Sequence, residues 1–350
     1  MVFSFLVFLL SLLLLIYGAR LLVFGASELS LLFGISPLVV GLTVVAIGTS
    51  SPEIGVSVLA AIRGKPELVL GNVIGSNIFN ILLVLGLCSL ISPLKGQKSL
   101  IWTEVPLMIF LSIILWIIAA FKIITWWEGT LLLCGLVLYF FYMGKKAQKE
   151  REKPSRQRRK KSPWVLCITL LAGLLLLAIG ADQLVDSAIK IARGFEISEL
   201  FIGLTIVAAG TSLPEAFASL TATFKGEGDL VIGNIIGSNI INILAVLGFS
   251  ALFSFHGLPV SPQALHFDLP VMTGVAMATF PIFLTQHKID RWEGIIFLIY
   301  YIAYMTSLFL QLTNNTYYPL FKWSLFGFLL PLTLLTLMIG LYRHFLRRTP

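Results

Sequence analysis

Two glutamates, Glu53 and Glu215, stand in the middle of apolar segments, in GTSSPE and GTSLPE. A charged acid at the centre of a membrane helix costs about 2.5–3.5 kcal/mol on insertion scales, so such residues ordinarily line a polar path. Thr49 and Ser50 precede Glu53 by four and three positions and share its helix face, as Thr211 and Ser212 do for Glu215. Pro52 and Pro214 have no N–H, which leaves the carbonyls of Gly48 and Gly210 without their helical partner. At membrane depth a free carbonyl is tolerated only where something polar meets it. A second motif pair, GNVIGSNIFN at 71–80 and GNIIGSNIIN at 233–242, sets Ser76 and Asn80 on one face, and Ser238 and Asn242 likewise. Carboxylate, hydroxyl, amide oxygen and carbonyl, without imidazole or thiolate, suit hard cations such as calcium, magnesium or sodium rather than zinc or copper.

Each feature also has a plainer reading. A buried glutamate can be held neutral or paired with a buried base, but no Lys or Arg lies mid-membrane in the helices around these two. A proline can simply kink a helix. Gly71 and Gly75 form a small-xxx-small pattern that indicates close helix packing, though packing does not explain the amides and hydroxyls beside them. Recurrence in both halves of the chain favours a cation site. His256, His266, His287 and His344 fall in loops or at span ends, and neither HExxH nor a GxSxG elbow is present, so no enzyme chemistry is expected. Cys88, Cys134 and Cys167 sit singly in apolar runs and read as packing residues.

The elements that position these groups are membrane spans. The chain of 350 residues is 57% hydrophobic and only 12% charged, which excludes an ordinary soluble domain. Apolar runs long enough to cross a bilayer as helices lie near 2–26, 37–62, 69–91, 100–120, 127–144, 164–190, 199–224, 230–253, 267–286, 292–312 and 322–342. Short alternating segments of a membrane barrel are absent. The N-terminal run lacks a basic n-region and a cleavage site and reads as a retained span. Ten of the 25 Lys and Arg lie between Lys145 and Lys161, which reads as a cytosolic loop touching anionic headgroups and not as a nucleic-acid patch.

The chain is also duplicated. Residues 41–62 align with 203–224 at 12 of 22 identical positions, and 71–86 with 233–248 at 13 of 16, both at an offset of 162 without a gap. Five spans per repeat is an odd number, so the second copy enters the membrane from the opposite side. The expectation is an all-α polytopic membrane protein of two inverted five-helix repeats plus one extra C-terminal helix. Its parts are a first repeat (1–144), a basic loop (145–163), a second repeat (164–312), and a last helix with a basic tail (313–350). With the loop in the cytosol, the N-terminus lies outside and the C-terminus inside, which puts eighteen basic residues on the cytosolic face and six outside. Arg20 and Asp182, at equivalent positions of the first and sixth spans, approach opposite faces and are expected to snorkel.

These motifs resemble those of the sodium/calcium exchanger family of the calcium/cation antiporter superfamily, especially its compact prokaryotic members. GTSSPE with GSNIFN, and GTSLPE with GSNIIN, look like the two alpha-repeats of that family, and the resemblance covers residues 1–312. It implies that Glu53 and Glu215 ligate calcium and sodium in competition. Further ligands are implied at Thr49, Ser50, Ser76 and Asn80, and at Thr211, Ser212, Ser238 and Asn242, with backbone carbonyls of Ala46 and Ala208 completing sodium sites. The first and sixth spans would slide as a pair against the other helices. Asn242 stands where some relatives, including potassium-dependent ones, carry aspartate, which argues against potassium coupling. The expected activity is electrogenic extrusion of calcium by the sodium gradient across a prokaryotic cell membrane, with no cofactor and with the lipid bilayer as surroundings; the oligomeric state stays open. Calcium/proton antiport is the alternative, and a cation channel is disfavoured by the inverted duplication.

Overall fold

At membrane depth every backbone N–H and C=O must be satisfied within its own segment, and long aliphatic runs do so as helices. The computed structural model describes residues 2–149, 162–194, 208–284, 287–313, 315–324 and 338. The first repeat comprises α1 (Val2–Phe33), α2 (Pro37–Thr49 and Ser51–Ile62), α3 (Pro66–Ile91), α4 (Leu100–Ala119) and α5 (Trp126–Lys149). The second comprises α6 (Pro163–Gly194), α7 (Ala208–Gly210 and Leu213–Phe224), α8 (Gly228–Phe253), α9 (Ala264–Leu284) and α10 (Arg291–Leu312), after which a short α11 (Tyr318–Ser324) follows. Among the described residues, eight helices are long and apolar enough to cross a membrane, and the two arms of α2 make a ninth span. The expected start of the seventh span (199–207), most of the basic loop (150–161) and nearly all of the expected eleventh span lie outside the described residues.

Helix ends differ from the apolar runs for local reasons. The first span runs on from 26 to Phe33 and stops at Gly34, whose φ of +65° suits a helix C-terminus. α3 begins at Pro66, a residue that tolerates the first helical turn because its missing N–H would be unpaired there anyway. α5 continues past 144, so Lys145, Lys146 and Lys149 are helical. Hydropathy locates the apolar stretch; caps and prolines set where the helix stops.

α1 and α6 pack antiparallel along their length, backbone against backbone. A Cβ on Gly18 would lie 2.9 Å from Gly173 O, and one on Gly173 would lie 2.6 Å from Leu22 N. Arg20 is exposed with its guanidinium over the Tyr17 ring, and Asp182 is exposed as well. α3 and α8 form the centre. The most apolar window of α8 is wholly buried and that of α3 is 72% buried, against 39% or less for each of the other unbroken spans. The first arm of α2 crosses α8 so closely that a Cβ on Gly233 would lie 2.6 Å from Leu38 O. Outward faces carry residues such as Phe110, Leu131, Ile168 and Ile302, with Trp102, Trp126, Trp164 and Trp292 near helix ends, the distribution of a lipid-facing surface.

The loops repeat the duplication. β1 (Leu94–Lys95) pairs antiparallel with β4 (Lys288–Ile289), and β2 (Ile123–Ile124) with β3 (Leu258–Pro259). α4 runs from β1 to β2, so the two strand pairs lie at opposite ends of the bundle. An offset of 164 carries β1 onto β3, which makes each pair a partnership between the repeats. π-helical turns recur in the same way, at Phe79–Leu85 and Asn242–Leu247, and at Leu100–Glu104 and Ala264–Asp268. Such turns place an extra residue in the helix and are common where side chains must be re-aimed at a site.

Candidate functional site

The site lies where the elbows of α2 and α7 meet α3 and α8. The two arms of α2 are bent by 43° at Ser50, whose ψ of 4° breaks the helix just ahead of Pro52; Ser212, with ψ of 7°, does the same ahead of Pro214. Gly48 and Gly210 make these bends possible at close quarters, because a Cβ on either would strike Leu174 or Val185 of α6. The restart of each helix puts Glu53 and Glu215 in a first turn, where a carboxylate faces unsatisfied N–H groups.

The repeats exchange hydrogen bonds across the site. Ser50 Oγ donates to Glu215 Oε1 at 2.8 Å, and Ser212 Oγ is 3.2 Å from Glu53 Oε1. Ser212 also bonds Ser76 Oγ at 2.8 Å, and Ser238 Oγ lies 3.5 Å from Glu215 Oε1. Thr49 Oγ1 donates to Asn234 Oδ1 at 3.2 Å, and Thr211 Oγ1 to Asn72 Oδ1 at 2.9 Å, again across the repeats. Ten of the twelve sequence-derived positions come together here: Glu53, Ser76, Thr211 and Ser212 in one hydrogen-bonded cluster and Glu215, Thr49, Ser50 and Ser238 in its mirror, the threonines through Asn72 and Asn234, with Asn80 and Asn242 one helical turn beyond Ser76 and Ser238. Ala46 and Ala208 lie on the first arm of α2 and the opening turn of α7. Ala46 O accepts the Ser50 N–H at 3.0 Å, its ordinary helical bond, and the Thr49 hydroxyl lies 3.4 Å from it.

Among the described residues, four oxygens of this region are buried without a hydrogen-bond partner: Glu53 Oε2, Glu215 Oε2, Asn80 Oδ1 and Asn242 Oδ1. Glu53 is 1% exposed and the other three residues 0%. An uncompensated carboxylate in such a place is costly, and buried charges are found paired or on metal ions. No basic side chain shares a salt bridge with either glutamate among the described residues. Two acids and two amide oxygens without partners, ringed by hydroxyls, are what a hard cation requires.

Four asparagines complete the region and were not singled out from sequence. Asn72 Nδ2 donates to Ser57 Oγ at 2.8 Å and reaches Glu53 O at 3.4 Å; Asn234 Nδ2 bonds Ser219 Oγ at 3.0 Å and reaches Glu215 O at 3.5 Å. Because Asn72 and Asn234 accept the threonine protons, the Thr49 and Thr211 hydroxyl lone pairs stay available. Asn77 and Asn239 lie between α3 and α8. The signal was present: all four are identical between the repeats.

A cavity of about 200 Å³ approaches the region along α3, past Gly71, Ile74 and Gly75, from the end that carries β2 and β3. Glu67, Asp268 and Tyr304 line its mouth. At the opposite end the equivalent positions are joined instead, with Gln97 Nε2 donating to Asp229 Oδ2 at 2.7 Å.

Known proteins share this architecture. The family model described as sodium/calcium exchanger protein matches residues 3–145 and 165–310. The putative antiporter CaxA of Alkalimonas amylolytica is 40% identical over 86% of this chain and 97% of its own. The sodium/calcium exchanger MaX1 of Methanosarcina acetivorans is 32% identical over 87% of this chain and 98% of its own. A solved structure of the sodium-calcium exchanger NCX_Mj, soaked with 2.5 mM Na+ and 0.1 mM Ca2+, superposes with a TM-score of 0.78 at 36% identity, covering 88% of this chain and 99% of that one.

Proposed function

Because the chain belongs to the sodium/calcium exchanger family, a family of multi-pass membrane transporters, we propose that it exchanges sodium for calcium by alternating access through the site between its repeats. The observation that carries this reading is the set of four buried, unpartnered oxygens on Glu53, Glu215, Asn80 and Asn242. Thr49, Ser50, Ser76, Thr211, Ser212 and Ser238 supply hydroxyls, and the Ala46 and Ala208 carbonyls serve sodium. Two carboxylates neutralise one calcium ion, so the calcium-loaded site crosses without net charge. A sodium load of more than two ions leaves net positive charge, which voltage drives at about 2.3 kcal/mol per charge per 100 mV. Transport is therefore electrogenic, and with an amide at Asn242 it needs no potassium.

The bond between Gln97 and Asp229 at one end and the cavity at the other support reading the conformation as one of the two access states. With the basic loop in the cytosol, the open end faces outside, the N-terminus lies outside and the C-terminus inside. Calcium then leaves the cell down the sodium gradient, across a prokaryotic cell membrane.

The test is calcium-45 uptake into proteoliposomes with sodium, potassium and proton gradients imposed separately and the membrane potential clamped. Uptake that requires an outward sodium gradient, responds to voltage and persists without potassium is expected. Uptake driven by a pH gradient at zero sodium would replace this reading with calcium/proton antiport.

A further inference from the structure

Asn77 and Asn239 are buried, at 2% and 1% exposure, one residue beyond Ser76 and Ser238. Their amides cross between α3 and α8: Asn77 Nδ2 donates to Asn239 O at 3.4 Å, and Asn239 Nδ2 donates to Asn77 O at 3.2 Å. A backbone carbonyl can only accept, so each amide has one permitted orientation, with its nitrogen on the partner's backbone and its Oδ1 turned away. That Oδ1 demands a donor. Asn242 Nδ2 supplies it to Asn77 at 3.1 Å, and Asn80 Nδ2 supplies it to Asn239 at 3.1 Å. Once the nitrogen of Asn242 or Asn80 is held in this way, its own carbonyl oxygen must point to the other side, and those two oxygens are the buried unpartnered ones.

We propose that Asn77 and Asn239 are positioning residues, which fix the side-chain carbonyls of Asn242 and Asn80 toward the transported cation. The inference rests on Asn80 and Asn242 being ligands, as argued above. Without its outer partner, an asparagine amide is free to turn over and present its NH2 group to a cation, which converts a ligand into a repulsive neighbour. The same geometry selects amide over acid at 242, because an ionised aspartate there would set acceptor against acceptor at Asn77 Oδ1. The crossed pair thus helps to keep the carboxylate count at two.

The experiment is a double-mutant cycle on the full-length protein in proteoliposomes, reading the calcium concentration that half-saturates sodium-dependent uptake. Asn77→Ala is expected to raise that concentration by about 10–100-fold, the usual loss when a residue orienting a metal ligand is removed. In an Asn242→Ala background the same substitution should change it by less than about twofold, since the group it positions is gone. In an Asn80→Ala background it should keep its full effect. An equal effect in the Asn242→Ala and Asn80→Ala backgrounds, or none in the wild type, would overturn the proposal and leave Asn77 a packing residue. Normal half-saturation in Asn242→Ala alone would instead overturn the ligand assignment. Should Asn77→Ala not fold, the mirror cycle of Asn239→Ala with Asn80→Ala makes the same demand with the roles exchanged.

Discussion

Glu104 on α4 and Asp268 on α9 are the same position of the two repeats, each the last residue of a matching π-helical turn. Their surroundings differ. Glu104 is fully buried and lies 2.7 Å from Lys146 Nζ, in an ion pair whose side chains are 0% and 7% exposed. Among the described residues Asp268 is paired with no lysine, the counterpart of Lys146 being Gln311; it accepts the Tyr304 hydroxyl at 3.1 Å and lines the cavity. Tyr139, the counterpart of Tyr304, turns instead to Leu42 O at 3.1 Å. At the centre the two repeats are nearly interchangeable, with Ser50 on Glu215 and Ser212 on Glu53. On the function proposed above, the near-symmetric part is the part that holds an ion in both access states. On the same proposal, the part that differs decides which end opens and how firmly the other is shut.

The largest effects are expected at the centre and should be equal in the two repeats. Glu53→Gln and Glu215→Gln each remove half of the charge available to calcium and should each abolish calcium-45 uptake, while the purified proteins elute as the wild type does. A variant that keeps near-normal uptake when its twin is dead would break the symmetry of the centre.

The ends should respond unequally. Lys146→Met leaves Glu104 buried without its cation, and breaking one partner of a buried pair costs about 3–5 kcal/mol. Asp268→Asn keeps an oxygen for the Tyr304 hydroxyl at a half-buried site and should cost under about 1 kcal/mol. Unfolding in detergent at matched protein concentration measures both. Equal losses would mean that the two ends are built alike after all.

Much of this was legible in the sequence, for identifiable reasons. The glutamates, the Ser and Thr residues before them, and the proline bends follow from motifs whose 3.6-residue spacing puts them on one helix face. The duplication then says which residues meet. What the sequence does not carry is the crossing: that Ser50 bonds the glutamate of the other repeat depends on the meeting of the α2 and α7 elbows, and that Asn77 pairs with Asn242 depends on the contact of α3 with α8. The β1–β4 and β2–β3 partnerships were missed because two-residue strands leave no periodicity to read. Lys146 was grouped with the basic loop, since nothing local marks it as a lysine whose side chain turns inward to Glu104.

The smallest expected effect concerns the closed end. Gln97 reaches Asp229 across the loop, whereas the residue at the position of Gln97 in the second repeat is Ser261, too short to reach Glu67 in the same way. A latch made in one state and absent from the other stabilises the first by its own net strength, about 1.5 kcal/mol for a hydrogen bond to a charged acceptor. Every 1.4 kcal/mol is about tenfold in a population, and apparent affinity scales with the fraction of molecules competent to bind. Gln97→Ala should therefore raise the fraction open at the β1–β4 end by about tenfold, and lower the half-saturating calcium concentration there by the same factor. At the β2–β3 end that fraction is already near one, so half-saturation should barely move. Ser261→Gln offers the converse: a longer side chain opposite Glu67 should lengthen the time spent closed at the β2–β3 end. Calcium titrations on vesicles of opposite sidedness measure both. If Gln97→Ala shifts the two ends equally, the bond is structural and the asymmetry of the ends has no part in gating.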